Sequence, residues 1–131
     1  MTRLASFTAV LVATLLTLTI TPSWGGPPNP TQSDANFNTA GGSGALFNQG
    51  TGFSAGVSNT AFGFYSLNVN TTGNNNSAFG DAALLSNNGS NNTAIGVNAL
   101  FSNTDGGDNT ASGLNALYSN TTGLKNTASG A

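Results

Sequence analysis

"NALYSNTTGLKNTASG", residues 115–130, repeats with few changes what residues 98–113 say as "NALFSNTDGGDNTASG". Aligned without a gap, 12 of 16 positions are identical. The exchanges, Tyr118 for Phe101, Thr122 for Asp105, Leu124 for Gly107 and Lys125 for Asp108, spare every Asn and every Ala. A unit of about seventeen residues therefore restarts along this chain.

Working outward from that pair, the restart Asn-(Thr/Ser)-Ala-x-Gly begins at Asn38, Asn59, Asn76, Asn92, Asn109 and Asn126, at intervals of 21, 17, 16, 17 and 17 residues. Such a unit is too short for two packed helices and fits a parallel β-solenoid, or β-roll, of short strands and tight turns in about five coils. Taking the Asn as column one, column three is Ala in every coil: Ala40, Ala61, Ala78, Ala94, Ala111 and Ala128. Column five is Gly42, Gly63, Gly80, Gly96, Gly113 and Gly130, and column nine is Leu46, Leu67, Leu84, Leu100 and Leu117. A position that accepts only Leu points inward. A position that accepts only Gly marks a bend with positive φ or a close backbone approach.

Column four (Phe62, Phe79 and Ile95, then Ser112 and Ser129) and column ten (Phe47, Leu85, Phe101 and Tyr118, with Asn68 an exception) are mostly apolar and variable. They either line the interior or face another chain. The Asn and Gly of "SNTDG" (102–106) and "SNTTG" (119–123) read as turn residues, because both tolerate left-handed conformations. The first-column Asn residues fall one above another in a stack, where they can hydrogen-bond as Asn ladders do in other stacked β structures. Such a coil buries few large apolar side chains against the entropy of ordering it, so the array is expected to need identical chains beside it or further coils.

The chain has 131 residues, of which 5% are charged, with 18 Gly and no Cys or His. Arg3 precedes the uncharged apolar run Leu4–Ile20, and "TPSWGG" (21–26) offers small side chains to a signal peptidase. The reading is a signal peptide over residues 1–25, a Pro-rich leader over 26–37 and β-roll repeats over 38–131, with the array breaking off in mid-coil at Ala131. A secreted or outer-surface location follows, with no membrane span in the mature chain. Beyond residue 25 one lysine, Lys125, stands against four aspartates, Asp34, Asp81, Asp105 and Asp108, which leaves no basic patch for nucleic acid. Without Cys no disulfide can brace the fold.

The signatures "NTAFG" (59–63), "NSAFG" (76–80), "NTAIG" (92–96) and "NTASG" (109–113 and 126–130) resemble the head repeats of YadA-like trimeric autotransporter adhesins. The resemblance covers residues 38–131. It implies a left-handed parallel β-roll, a homotrimer, and a head that binds host, matrix or glycan surfaces for cell adhesion. The coil here is longer than that family's, with "ALYSNTTG"-type sequence added after the signature. The family's neck, coiled-coil stalk and membrane barrel have no counterpart in the sequence.

With four scattered Asp and no His, Cys or Glu, neither a nucleophile–base pair nor a metal cluster assembles from sequence neighbours, so no enzyme and no cofactor is expected. Asp105 and Asp108 in "TDGGDN" do not recur from coil to coil as a calcium-binding repeat requires. Two alternatives to the adhesin reading remain. The low charge and abundant Asn suit a self-assembling extracellular fibre subunit. The Thr rank of column two (Thr39, Thr60, Ser77, Thr93, Thr110 and Thr127), with Thr71, Thr104 and Thr121, suits an ice- or glycan-binding solenoid.

Overall fold

The computed structural model describes residues 36–47 and 56–131. The signal-peptide reading and nearly all of the Pro-rich leader lie outside the described residues, as does part of the long first coil. Six three-residue strands lie within them: β1 (Thr39–Gly41), β2 (Thr60–Phe62), β3 (Ser77–Phe79), β4 (Thr93–Ile95), β5 (Thr110–Ser112) and β6 (Thr127–Ser129). They form one parallel sheet in chain order, each strand hydrogen-bonded to the next. The architecture is an all-β solenoid, as the repeat predicts. Its register sets Thr60 on Ser77, Ala61 on Ala78 and Phe62 on Phe79, and the same columns stay matched along the stack.

Each strand occupies columns two to four, so a β-branched or hydroxyl residue opens it and Ala sits at its centre. The two-residue alternation of a strand then decides everything about column four. Ala61, Ala78, Ala94 and Ala111 are fully buried, so columns two and four must point out of the coil. Phe62 is 42% exposed, Phe79 41% and Ile95 49%. Of the two orientations open to column four in the sequence, the structure takes the outward one.

Column five ends every strand. Its glycines have φ between 114° (Gly42) and 144° (Gly63), and a Cβ on Gly63, Gly80, Gly96 or Gly113 would collide with the carbonyl of the stacked glycine in the next coil. Both reasons for a Gly column therefore act at once. Beyond the bend the coils remain hydrogen-bonded although no strand is present. Ala82 N–H donates to Phe64 O at 2.8 Å, Leu84 N–H to Ala99 O at 2.9 Å and Leu100 N–H to Ala116 O at 3.0 Å.

That path has a conformational cost which the sequence does not announce. All five column-nine leucines are left-handed, with φ from 49° to 53°, and so are Tyr65, Ala82, Asn98 and Asn115 of column seven. Each such residue costs ~1–2 kcal/mol relative to ordinary backbone. Burial of the leucine offsets it: Leu67, Leu84 and Leu100 have no solvent exposure, and a buried Leu contributes ~1.5–3 kcal/mol. Per coil the apolar core is one Leu, the column-three Ala and, in most coils, a column-eight Ala such as Ala83, Ala99 or Ala116. The larger apolar side chains stay outside, so the core is thinner than an inward column four would make it.

Candidate functional site

Among the described residues, seven of the eleven largest fully buried side chains are asparagine. Asn59, Asn76, Asn92 and Asn109 of column one are at most 1% exposed, and each does two jobs. Its Oδ1 accepts the backbone N–H of the Asn one coil on: Asn76 N–H to Asn59 at 2.9 Å, Asn92 to Asn76 at 2.9 Å and Asn109 to Asn92 at 3.0 Å. Its Nδ2 donates to the carbonyl of the glycine that closes its own coil: Asn59 to Gly73 at 2.9 Å, Asn92 to Gly106 at 2.8 Å and Asn109 to Gly123 at 2.7 Å. The amide thus joins a coil both to itself and to its neighbour. Among the described residues no buried side-chain nitrogen or oxygen lacks a hydrogen-bond partner.

A second amide column, Asn70, Asn87, Asn103 and Asn120, corrects the sequence reading of the "SNTDG" segments. None of the four has positive φ, and the first three are fully buried. They are core residues: Asn103 Nδ2 donates to Asn87 Oδ1 at 2.7 Å and to Gly106 O at 2.8 Å, and Asn120 Nδ2 donates to Asn103 Oδ1 at 2.7 Å. The glycines three residues on, or two after Asn87, are required by crowding instead of by φ. A Cβ on Gly73 would meet the Gly89 carbonyl and the amides of Asn70 and Asn76. The signal that could have revealed this was present, since the column is Asn in all four coils from Asn59 to Lys125 while the residue after it changes from Thr to Asn. The 16-residue coil, 76–91, still sets Gly89 against Gly73 and Gly106, so its missing residue is absorbed between Asn88 and Gly89.

The columns marked in the sequence thus fall into two sets. Asn59, Asn76, Asn92 and Asn109 with Ala61, Ala78, Ala94 and Ala111 and with Leu67, Leu84 and Leu100 form the interior, while Leu117, Asn126 and Ala128 of the last coils are half-buried. Gly63, Gly80, Gly96, Gly113 and Gly130 turn the corner that follows each strand. None of these side chains is offered to a ligand, so any binding surface is built from the variable columns around them.

On the outside, column four forms an apolar stripe that column six widens except at the exposed Asp81. Phe62 and Phe79 stack with ring centroids 5.8 Å apart and planes 7° apart, Ile95 continues the line, and Phe64, Val97 and Leu114 of column six are each close to half exposed. Column ten forms another: Phe101 and Tyr118 stack at 5.0 Å and 9°, beside Leu85. Asn68 leaves that stripe because its Nδ2 donates to Gly44 O at 2.7 Å, which buries it.

The hydroxyl ranks are less uniform than the sequence suggests. Thr71 Oγ1 donates to Asn88 Oδ1 at 2.7 Å and Thr104 Oγ1 to Thr121 O at 3.1 Å, so both are engaged within the fold. Column two does face outward, but its partners on the sheet face are Phe62, Phe79 and Ile95 until Ser112 and Ser129 replace them. Asp105 and Asp108 are exposed, and Asp108 Oδ1 accepts from Asn91 Nδ2 at 3.1 Å. Among the described residues no three His, Cys, Asp or Glu side chains are grouped to hold a metal, and no helix is long and apolar enough to cross a membrane. The chain matches no known family model, and no curated protein or solved structure gives a match to it.

Proposed function

We propose that this chain is a secreted or cell-surface structural and binding module of adhesin type, presenting an extended β-roll surface, and that it works as an assembly of identical chains. The observation that supports this most is the outward column of Phe62, Phe79 and Ile95 on a coil whose interior holds a single large apolar side chain. A soluble rod gains nothing from aromatic rings in water, whereas contiguous exposed apolar surface marks a contact with another molecule. The resemblance to YadA-like heads supplies the number, three, and the class of target, a host, matrix or glycan surface. The same outward apolar column speaks against ice binding, which needs a flat hydroxyl face.

The test is the mass of the exported chain in solution by light scattering, with its N-terminal sequence read on the same sample. The proposal predicts processing near Gly25 and a folded species of three chains that adheres to glycan- or matrix-coated surfaces. A folded monomer that remains on the inner side of the membrane and adheres to nothing would refute it.

A further inference from the structure

"SNNGS", residues 86–90, contains the one Asn-Gly pair of the sequence, Asn88 and Gly89, at the place where the 16-residue coil is a residue short. We propose that Asn88 is a self-modification site. There the Gly89 backbone nitrogen displaces ammonia from the Asn88 side chain, and water opens the resulting cyclic imide to aspartate or isoaspartate.

The nucleophile is what singles this position out. To close a ring on the side chain before it, a backbone nitrogen must be free of a ladder bond and unhindered by its own Cβ. Gly73 N–H donates to Asn70 Oδ1 at 3.0 Å and Gly106 N–H to Thr121 O at 3.1 Å. Gly89 N–H, stacked between them, donates to no group among the described residues.

At other asparagines the corresponding nitrogen is held or hindered. The exposed Asn75 and Asn91 are followed by Asn76 and Asn92, whose N–H groups donate into the buried amide column at 2.9 Å. Asn98 is followed by Ala99, whose N–H donates to Gly96 O at 3.3 Å. Asn103 and Asn120 precede Thr104 and Thr121, whose branched Cβ obstructs the approach. Asp105 with Gly106, a pair open to the same ring closure, is restrained by the bond from Gly106 to Thr121.

The electrophile is also prepared. Asn88 Oδ1 accepts from Thr71 N–H at 2.9 Å and from Thr71 Oγ1 at 2.7 Å. Two donors on one amide oxygen polarise its carbonyl and remain in place as that oxygen takes up negative charge in the tetrahedral intermediate. The bond from Gly89 N to Asn88 Cγ forms, the Cγ–Nδ2 bond breaks, and the Gly89 proton leaves with the ammonia. One water then adds at either carbonyl of the imide, which a half-buried Asn88 leaves within reach of solvent.

Both products alter the coil. Aspartate adds a negative charge and keeps the two Thr71 donors, in hydrogen bonds that the charge strengthens. Isoaspartate inserts one more carbon into the main chain between residues 88 and 89, in the coil that is a residue short.

The test follows the full-length chain at mildly alkaline pH, with β structure monitored by circular dichroism and each asparagine read by peptide mass spectrometry. Isoaspartate is scored by enzymatic methylation. The proposal predicts that Asn88 converts ahead of every other asparagine, at least as fast in the folded chain as in the chain unfolded in urea. Thr71→Val, which keeps the N–H and removes the hydroxyl, should slow conversion several-fold, and Thr71→Ser should restore it. An Asn88 that stays amidated in the folded chain while it converts in urea would overturn the proposal. Conversion that is unchanged or faster in a folded Thr71→Val chain would overturn the part given to Thr71. Should Thr71→Val not fold, the comparison of folded and unfolded chains decides the matter alone.

Discussion

Asn92 and Asn109, stacked in adjacent coils, are joined twice through one atom: Asn92 Oδ1 accepts from the Asn109 backbone N–H at 3.0 Å and from its Nδ2 at 3.1 Å. The amide of Asn92 also donates to Gly106 O at 2.8 Å. Truncating it therefore orphans a buried donor and removes one donor from a buried carbonyl in one stroke. Asn92→Ala is predicted to destabilise the fold by about 2–4 kcal/mol, since each unsatisfied buried group costs ~1–3 kcal/mol. Denaturant unfolding measures this. Thr72→Ala, at an exposed position without positive φ whose hydroxyl donates to Asn88 O at a long 3.4 Å, should cost under about 0.5 kcal/mol and serves as the control.

Gly96 stands at φ 130° with the Gly113 carbonyl against the place of its absent Cβ. Gly96→Ala combines backbone strain with a clash between rigid backbones, and is expected to cost about 3 kcal/mol or more. Because a collision with backbone propagates to the next coil, the loss should exceed that of Gly107→Ala, where the nearest atoms lie 3.2 Å or more from an added Cβ. Thermal unfolding of the two variants side by side settles the order.

Ala82 holds a left-handed φ of 52° with a side chain too small to gain much from burial. Replacing it with Gly relieves ~1–2 kcal/mol of steric cost and adds ~0.5–1 kcal/mol of unfolded-state entropy, a net gain of about 0.5–1 kcal/mol. The rise in unfolding midpoint reports it. At Leu100, which shares the left-handed backbone at φ 53°, truncation has the opposite sign, because Leu100→Ala loses a fully buried side chain at ~2–5 kcal/mol.

Column four already contains serine at Ser112 and Ser129 with the strand intact, so the coil itself tolerates a small polar residue there. The double change Phe79→Ser with Ile95→Ser should leave the β circular dichroism unchanged and lower the affinity between chains by at least tenfold. A concentration series in analytical ultracentrifugation checks both halves of this expectation.

How far these features were readable before the structure depends on what marks each column. Leu100, Ala94 and Gly96 announce themselves because one residue type fills the column in every coil, and the inward core and the bend follow from that. Column four is different: Phe79 and Ile95 are apolar, and hydrophobicity alone leaves inward and outward equally open. The alternation of a three-residue strand around buried Ala78 and Ala94 resolves it, and that requires knowing where the strand begins. Asn103 misleads in another way, since Asn is common in exposed turns and its burial depends on partners one coil away, Asn87 and Asn120. The left-handed backbone of Leu84 and Leu100 has no sequence signature at all. It is imposed by the inter-coil hydrogen bonds of Leu84 to Ala99 and Leu100 to Ala116.

The most direct measurement of the account's central claim is the solution mass of the chain by light scattering, read together with far-UV circular dichroism. The account predicts a β-rich species of three chains that falls to a single chain when Phe79 and Ile95 are changed to serine. A β-rich, cooperatively unfolding monomer with both residues in place would contradict it.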